Sequence, residues 1–449
     1  MISKIKCFWE SFRKSPPRML ALGFLTVILL GGIILSLPIS SRTGNHTPFI
    51  DSLFTSTSAV CVTGLTTVTT KANFSNFGYI VIMSLIQFGG LGFMTWAVLV
   101  QLLMKKRISF YDRILIHEQM NEESFSGMVR LIIFVLKSTF LIESIGAVLL
   151  SFTFIPEFGL KKGIFYSIFH SVSAYCNAGF DILGEESLSK YSNSILVLLP
   201  IASLIILGGI GFNVFIDILK KKNYKKLRLH SKLVLTMTLI LIVFPAIVIF
   251  LLEFNNPSTF MGKSLSYKSL SSFFQSITLR TAGFFSIDQS LLRESTSLFC
   301  ILIMFIGGSP SGTAGGIKTT TFALVIMLSI SEIKGFKDVE IFNRRIESNV
   351  VRKALTIFTI SIIWILFVTF ILSVIENKRI VDLLFETTSA FATVGLTRGI
   401  TPRLSTIGKS LIIITMFIGR LGPMELAYAI SKNKKIRSYK EANGNIMVG

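Results

Sequence analysis

The chain has 449 residues and a formal net charge of +21, yet only 15% of its residues are charged and 51% are hydrophobic. Soluble domains carry about 25% charged residues, and the mean hydropathy here is +0.68, so a string of soluble domains is excluded. Asp, Glu, Lys and Arg are absent from 19–41, 72–104, 191–216, 233–252 and 354–375. Each run can supply the ~20 apolar residues that cross a bilayer, which predicts an all-α polytopic membrane protein. The placement of the charge argues against nucleic-acid binding. Of 45 Lys and Arg, 28 lie in 1–18, 105–130, 220–232, 334–353 and 432–440. Cationic loops collect on the cytoplasmic side, so both termini and three basic loops are expected inside a cell membrane crossed many times.

In chain order, the basic segment 1–18 interleaves Phe8, Trp9 and Phe12 and suits the inner membrane surface. The following run, 19–39, is long for a secretory signal and is read as a retained first span. Repeat 1 (19–104) continues with a short helix at 50–63, an extended return at 64–70 and a second span at 77–104, closed by Lys105, Lys106 and Arg107. Repeat 2 (105–219, with its preceding cytoplasmic loop) has spans 131–154 and 194–219 around a short helix at 163–178. Lys137 and Glu143 inside its first span are expected at a protein interior or a membrane edge. Repeat 3 (220–330) has spans 233–252 and 296–330 around a short helix at 269–282. Five glycines and a proline at 307–316 break its second span, since neither residue sustains a helix interior. Repeat 4 (331–430) has spans 354–375 and 405–430 around a short helix at 382–394. A basic tail, 431–449, follows.

Each short helix ends in one motif: FTSTSAVCVTGL at 54–65, FHSVSAYCNAGF at 169–180, FFQSITLRTAGF at 273–284 and FETTSAFATVGL at 385–396. Phe stands first and Gly eleventh in each, and the glycines are Gly64, Gly179, Gly283 and Gly395. Four copies in one slot predict four walls around one axis, dipping in from outside. A bare cation in hydrocarbon is prohibitively costly, and a pore replaces its water with rings of carbonyl oxygens. Glycine permits the dihedrals and omits the side chain that would plug the ring. The short helices would aim partially negative C-terminal ends at the centre. The expected rings are Val62, Thr63 and Gly64; Asn177, Ala178 and Gly179; Thr281, Ala282 and Gly283; and Thr393, Val394 and Gly395. Small-residue packing motifs are the bland alternative, and four matching copies weigh against it.

Glycines recur 24 to 29 residues after each motif, at Gly89, Gly208, Gly307 and Gly419. The broken segment, with Gly307, Gly308, Ser309, Gly312, Gly315, Gly316 and Lys318, is expected to be a flexible intramembrane gate. It has the Lys-Thr end of a phosphate loop, but Ile317 stands where that motif requires glycine. Arg420, midway along a span, is the second barrier candidate, because intramembrane arginines face protein or water and mark function. An ion pair with Glu425 is its structural alternative. Asp51, Asp181, Glu185, Asp288, Asp382 and Glu386 lie near the outer mouth, either as a cation-concentrating ring or as ordinary loop acids. Cys7, Cys61, Cys176 and Cys300 form no CxxC pair or Cys/His cluster, and the four histidines are scattered, so no transition metal is expected. The spans lack the nucleophile and acid–base sets of a membrane-embedded enzyme.

The four-fold plan resembles the superfamily of Trk, Ktr and HKT potassium transporters over essentially the whole chain. CVTGLTT, CNAGFDI, RTAGFFS and ATVGLTRG, the loop GGSPSGTAGGIKTTT and the terminal IGRLGP carry the resemblance. Eight spans without an extra leading helical pair, and the ending Gly-Asn-Ile-Met-Val-Gly, resemble the Ktr membrane subunit. The resemblance implies K⁺ uptake, a homodimer with one pore per subunit, and a cytoplasmic ring of nucleotide-binding regulatory subunits of the KtrA type. It implies the same gating role for the 307–318 loop and a pore-facing place for Arg420. Gly64, where sodium-favouring plant relatives carry serine, implies K⁺ selectivity. Na⁺ dependence, or a sodium-permeable and weakly selective pore, stays open. No organic cofactor is expected on this chain, and its surroundings are membrane lipids.

Overall fold

The structure, a computed structural model, describes residues 16–92, 95, 96, 98, 99, 101, 104, 128–184 and 186–430. Most of the basic N-terminal segment, Lys105–Arg107, the rest of the first basic loop, Glu185 and the tail 431–449 lie outside the described residues, as do Cys7 and His117.

Among the described residues, four helices are long and apolar enough to cross a membrane: α1 (Pro16–Ser36), α4 (Met128–Phe158), α8 (Leu229–Glu253) and α12 (Ser348–Ile375). Each is followed by a short helix: α2 (Phe49–Val60), α5 (Leu160–Tyr175), α9 (Leu265–Thr278) and α13 (Ile380–Phe391). The expected boundaries, 50–63, 163–178, 269–282 and 382–394, ran too far toward the glycines. The residues two before each glycine, Val62, Asn177, Thr281 and Thr393, have φ of 58°, 58°, 64° and 53°, a left-handed conformation that no α-helix can contain.

The second spans also differ from expectation. A break was expected only at 307–318, but each of these spans is interrupted. α3 (Asn76–Leu91) stops at Gly92. α6 (Ile195–Ile210) and α7 (Phe212–Lys221) meet at Gly211 with a bend of 95°. α14 (Thr406–Leu421) and α15 (Pro423–Ile430) meet at Gly422. The three glycines have φ of 83°, 96° and 92°, so expected spans 77–104, 194–219 and 405–430 are not continuous helices. Between α10 (Glu294–Met304) and α11 (Thr319–Ile333) a loop replaces the kink. A small antiparallel hairpin, β1 (Glu340–Ile341) and β2 (Arg344–Arg345), precedes α12.

Local sequence sets several starts. Ser75, Ser264 and Ser405 cap α3, α9 and α14, accepting N–H bonds from Gly78, Tyr267 and Gly408 at 3.1–3.2 Å. Such caps satisfy otherwise orphaned donors. Packing then closes a circle. Each long helix lies on the short helix that follows it. Each second helix reaches the next short helix, α3 on α5, α6 on α9 and α10 on α13, and α14 returns to α2. Lys409 on α14 reinforces that closure by pairing with Asp51 on α2 at 2.6 Å.

Candidate functional site

The four short helices bring their glycine turns together. A Cβ placed on Gly64 would lie 2.6 Å from the Ala178 carbonyl oxygen, and one on Gly179 2.6 Å from that of Ala282. One on Gly283 would lie 2.7 Å from the Val394 oxygen, and one on Gly395 would strike that of Thr63. Glycine to glycine, the contacts run around the circle and close. All four positions have positive φ, from 68° to 93°, so both space and dihedral demand glycine. The ring residues Val62, Thr63, Asn177, Ala178, Thr281, Ala282, Thr393 and Val394 are all buried here.

Hydroxyls on the short helices fasten the turns. Ser58 Oγ accepts from Gly64 N at 3.0 Å and Ser389 Oγ from Gly395 N at 3.1 Å. Ser173 Oγ donates to the Phe180 carbonyl at 2.7 Å and Thr278 Oγ1 to that of Phe284 at 2.5 Å. Ser58, Ser173 and Ser389 stand six residues before their glycines, but Thr278 stands five before Gly283. The path from that hydroxyl to the glycine is therefore one residue shorter in the third wall. Its structural counterpart of Phe54, Phe169 and Phe385, which are fully buried, is Phe274, whereas Phe273 is 36% exposed. Matching the motifs by their leading Phe is therefore off by one in this wall. The turn also holds Arg280, buried, with its Nε unpartnered among the described residues.

Glycines in the second helices permit tight contact beneath the ring. A Cβ on Gly89, Gly208 or Gly419 would collide with the carbonyl oxygen of Val60, Tyr175 or Phe391, the last residue of α2, α5 or α13. Gly307 faces the carbonyl of Gly315, inside its own loop. The loop runs directly below the ring. Thr313 Oγ1 donates to the Tyr175 carbonyl at 3.2 Å, and Gly315 and Gly316 press on Thr393 and Ala392. Ser309 N donates to the Gly209 carbonyl at 3.0 Å and Thr313 N to that of Gly208 at 3.1 Å. Gly308 and Gly312 abut the same stretch of α6. Lys318 Nζ donates to the Ala314 carbonyl at 2.8 Å.

Arg420 binds carbonyls, and the alternative pair with Glu425 does not form among the described residues. Its guanidinium donates to the carbonyls of Thr313 in the loop and Gly89 in α3. It therefore ties three parts of the circle together under the ring. Arg420, Lys318 and Glu425 line a cavity of about 450 Å³ with Gly316, Pro310 and His230.

The outer acids are largely engaged, so the free carboxylate ring is not what the described residues form. Asp51 pairs with Lys409, and Asp382 with Arg398 at 2.7 Å. Buried Glu386 accepts from Thr397 at 2.8 Å and from Thr401. Asp181 accepts the Leu183 N–H at 3.2 Å, and Asp288 caps Ser290 at 2.9 Å. Glu143 is buried and accepts from Gln87 Nε2 at 3.0 Å, while Lys137 is exposed. No group of three or more metal-binding side chains occurs among the described residues.

Residues 11–439 match the TrkH family, described as cation transport protein. The chain is 43% identical to the potassium/sodium uptake protein NtpJ of Enterococcus hirae, over 97% of this chain and 98% of that protein. It is 41% identical to the Ktr system potassium uptake protein B of Bacillus subtilis, over 98% of each. The crystal structure of the potassium transporter TrkH from Vibrio parahaemolyticus superposes with a TM-score of 0.73 at 17% identity, covering 92% of this chain and 83% of that one.

Proposed function

This chain belongs to the TrkH family of cation transport proteins, and on that premise we propose that it takes up K⁺ across the cell membrane through the ring of Gly64, Gly179, Gly283 and Gly395. The observation that carries the reading is the closed sequence of glycine contacts, four extended turns so close that any Cβ would obstruct the next carbonyl. Carbonyls of Val62, Thr63, Asn177, Ala178, Thr281, Ala282, Thr393 and Val394 stand in for the ion's water. The hydroxyls of Thr63, Thr281 and Thr393 are buried and unpartnered among the described residues. Buried polar atoms rarely lack a partner, and a coordinated cation supplies one. The four units then form a pseudo-four-fold pore, with repeats over 19–104, 105–219, 220–330 and 331–430.

The gate is the loop carrying Gly307, Gly308, Ser309, Gly312, Gly315, Gly316 and Lys318, held closed by Arg420. Two cationic side chains below the ring repel the permeant ion, and the loop's few bonds to α6 are its latch. The basic loops face the cytoplasm with both termini. Two copies associate, and a nucleotide-binding ring of the Ktr type docks on that face and sets the gate. Sodium is a second ion in this reading, since one relative is a potassium/sodium uptake protein.

The test is ⁸⁶Rb⁺ or K⁺ flux into vesicles holding the purified chain, with and without Na⁺ and the regulatory ring. Flux carried by K⁺ and Rb⁺ supports the reading, and no cation flux in any condition refutes it. Gly64→Ser places a side chain beside the Ala178 carbonyl at φ +92°. It should lower the K⁺/Na⁺ preference about tenfold, a change of ~1.4 kcal/mol.

A further inference from the structure

On the face that bears the basic loops lies a second cavity of about 570 Å³. We propose that it binds a phosphate-bearing anion, a soluble phosphoanion or a lipid headgroup, and transmits its occupancy to the 307–318 loop.

Six cationic residues line it: Lys221, Lys225, Lys226, Arg228, Lys232 and Arg344. They come from the end of α7, the turn Tyr224–Lys226, the start of α8 and, more than a hundred residues later, strand β2. The preference for positive charge inside explains their sign. It does not explain why Arg344 joins the 221–232 stretch around one concavity, where like charges repel. Asp217 is the carboxylate bonded to these walls. It is already committed to Lys221 at 3.3 Å, the Arg228 N–H at 2.8 Å and Ser231 Oγ at 2.7 Å. Nearby Asp338 is paired with Arg345 at 3.0 Å. Lys225, Lys226, Arg228, Lys232 and Arg344 have no ion pair among the described residues. A bound anion would offset their mutual repulsion. Planar Arg forks and Lys point charges together suit phosphate, and the volume lies in the ~300–1,000 Å³ range of small-ligand sites.

The cavity shares a wall with the one beneath the glycine ring, made of His230, Pro310 and Ser311. Helix α7 links the two mechanically. Its first residues hold the loop, through the Phe212 N–H to the Ser311 carbonyl at 3.1 Å and Asn213 Nδ2 to Ser311 Oγ at 3.2 Å. Its last turn carries Lys221 into the anion cavity. An anion that draws the cationic walls together moves α7 and therefore bears on Ser311, which is held at φ +60°. This coupling rests on reading 307–318 as the gate, whereas the binding site does not.

The test uses the full-length purified chain and two probes, pyrophosphate and short-chain phosphatidic acid, read by ligand-dependent thermal unfolding. The pocket variant is Lys225→Gln/Arg344→Gln, all exposed side chains outside the ring. The control is Lys334→Gln/Lys337→Gln, which removes equal charge from exposed positions outside the cavity wall. Loss of two charge-assisted contacts should weaken the apparent affinity about tenfold or more in the pocket variant and leave the control unchanged. A response to pyrophosphate alone assigns the site to a soluble anion, and a response to the lipid alone to a headgroup. No response to either, or equal weakening in both variants, overturns the site. So does loss of docking to an acidic protein subunit in the pocket variant when neither probe binds. In ⁸⁶Rb⁺ flux, the bound probe should change the rate about twofold or more in wild type and not in the pocket variant. Binding without a flux change overturns the coupling but keeps the site. Absence of flux from every sample speaks against the transport reading instead.

Discussion

The third wall of the ring is built differently from the other three. Walls one, two and four place Ser58, Ser173 and Ser389 six residues before the glycine and end their second helices at Gly92, Gly211 and Gly422. Their lower glycines, Gly89, Gly208 and Gly419, pack on the end of a short helix. Wall three has Thr278 five residues before Gly283, a buried arginine in the turn, and an irregular loop in place of the kink. Its lower glycine, Gly307, packs on that loop. In three walls the second helix thus meets the end of a short helix directly. In the third the loop takes that place beneath the ring, although α10 still packs on α13. Irregular backbone at membrane depth persists only against protein or a wet cavity, and this loop packs on α6 and the turn after α13 and lines a cavity.

The largest expected effect separates the two kinds of wall. Gly419→Ala drives a Cβ into the Phe391 carbonyl and should displace wall four. Overpacking costs typically ~1–3 kcal/mol, and the upper end corresponds to a flux drop of about 100-fold, with altered ion preference. Gly307→Ala pushes on the loop instead, and should change flux while K⁺/Na⁺ preference stays as in wild type. Equal loss of preference in both variants would erase the distinction between the walls.

Next in size is Arg420→Gln. It removes charge-assisted bonds to the Thr313 and Gly89 carbonyls, each worth ~1.5–3 kcal/mol. Freed from this tie, the loop should open more often and raise ⁸⁶Rb⁺ flux about tenfold. Unchanged or lower flux in a folded variant would mean that the arginine serves the fold alone.

The smallest effect sharpens the register difference. Ser389→Ala removes the acceptor for Gly395 N, and should cost ~1 kcal/mol and loosen wall four in hydrogen exchange at 393–395. Thr278→Ala should loosen the stretch around Phe284, beyond the glycine, because its hydroxyl donates there. Identical exchange patterns would show that the shorter path has no consequence.

Much of this was legible in the sequence. Charge-free runs marked the membrane class, and four glycines at matching positions marked the turns that meet. Those signals are local or periodic, because hydrocarbon thickness and backbone dihedrals act on residue type directly. Three things were not legible. The left-handed residues at Val62, Asn177, Thr281 and Thr393 carry side chains that normally avoid that region, and only the surrounding ring holds them there. The kinks at Gly92, Gly211 and Gly422 look like any glycine in an apolar run. The one-residue offset of wall three is hidden by Phe273, which imitates the leading Phe of the other motifs.

By itself, then, the sequence determined the all-helical membrane class, which segments carry the positive charge, and where glycine is obligatory in the four turns. Only the tertiary structure decided which carbonyl each glycine meets, that Arg420 ties the loop to α3, and that Arg344 joins Lys225 around one cavity. Those pairings join residues tens to hundreds of positions apart. Composition and periodicity carry no information at that range, and the closure of the circle sets it.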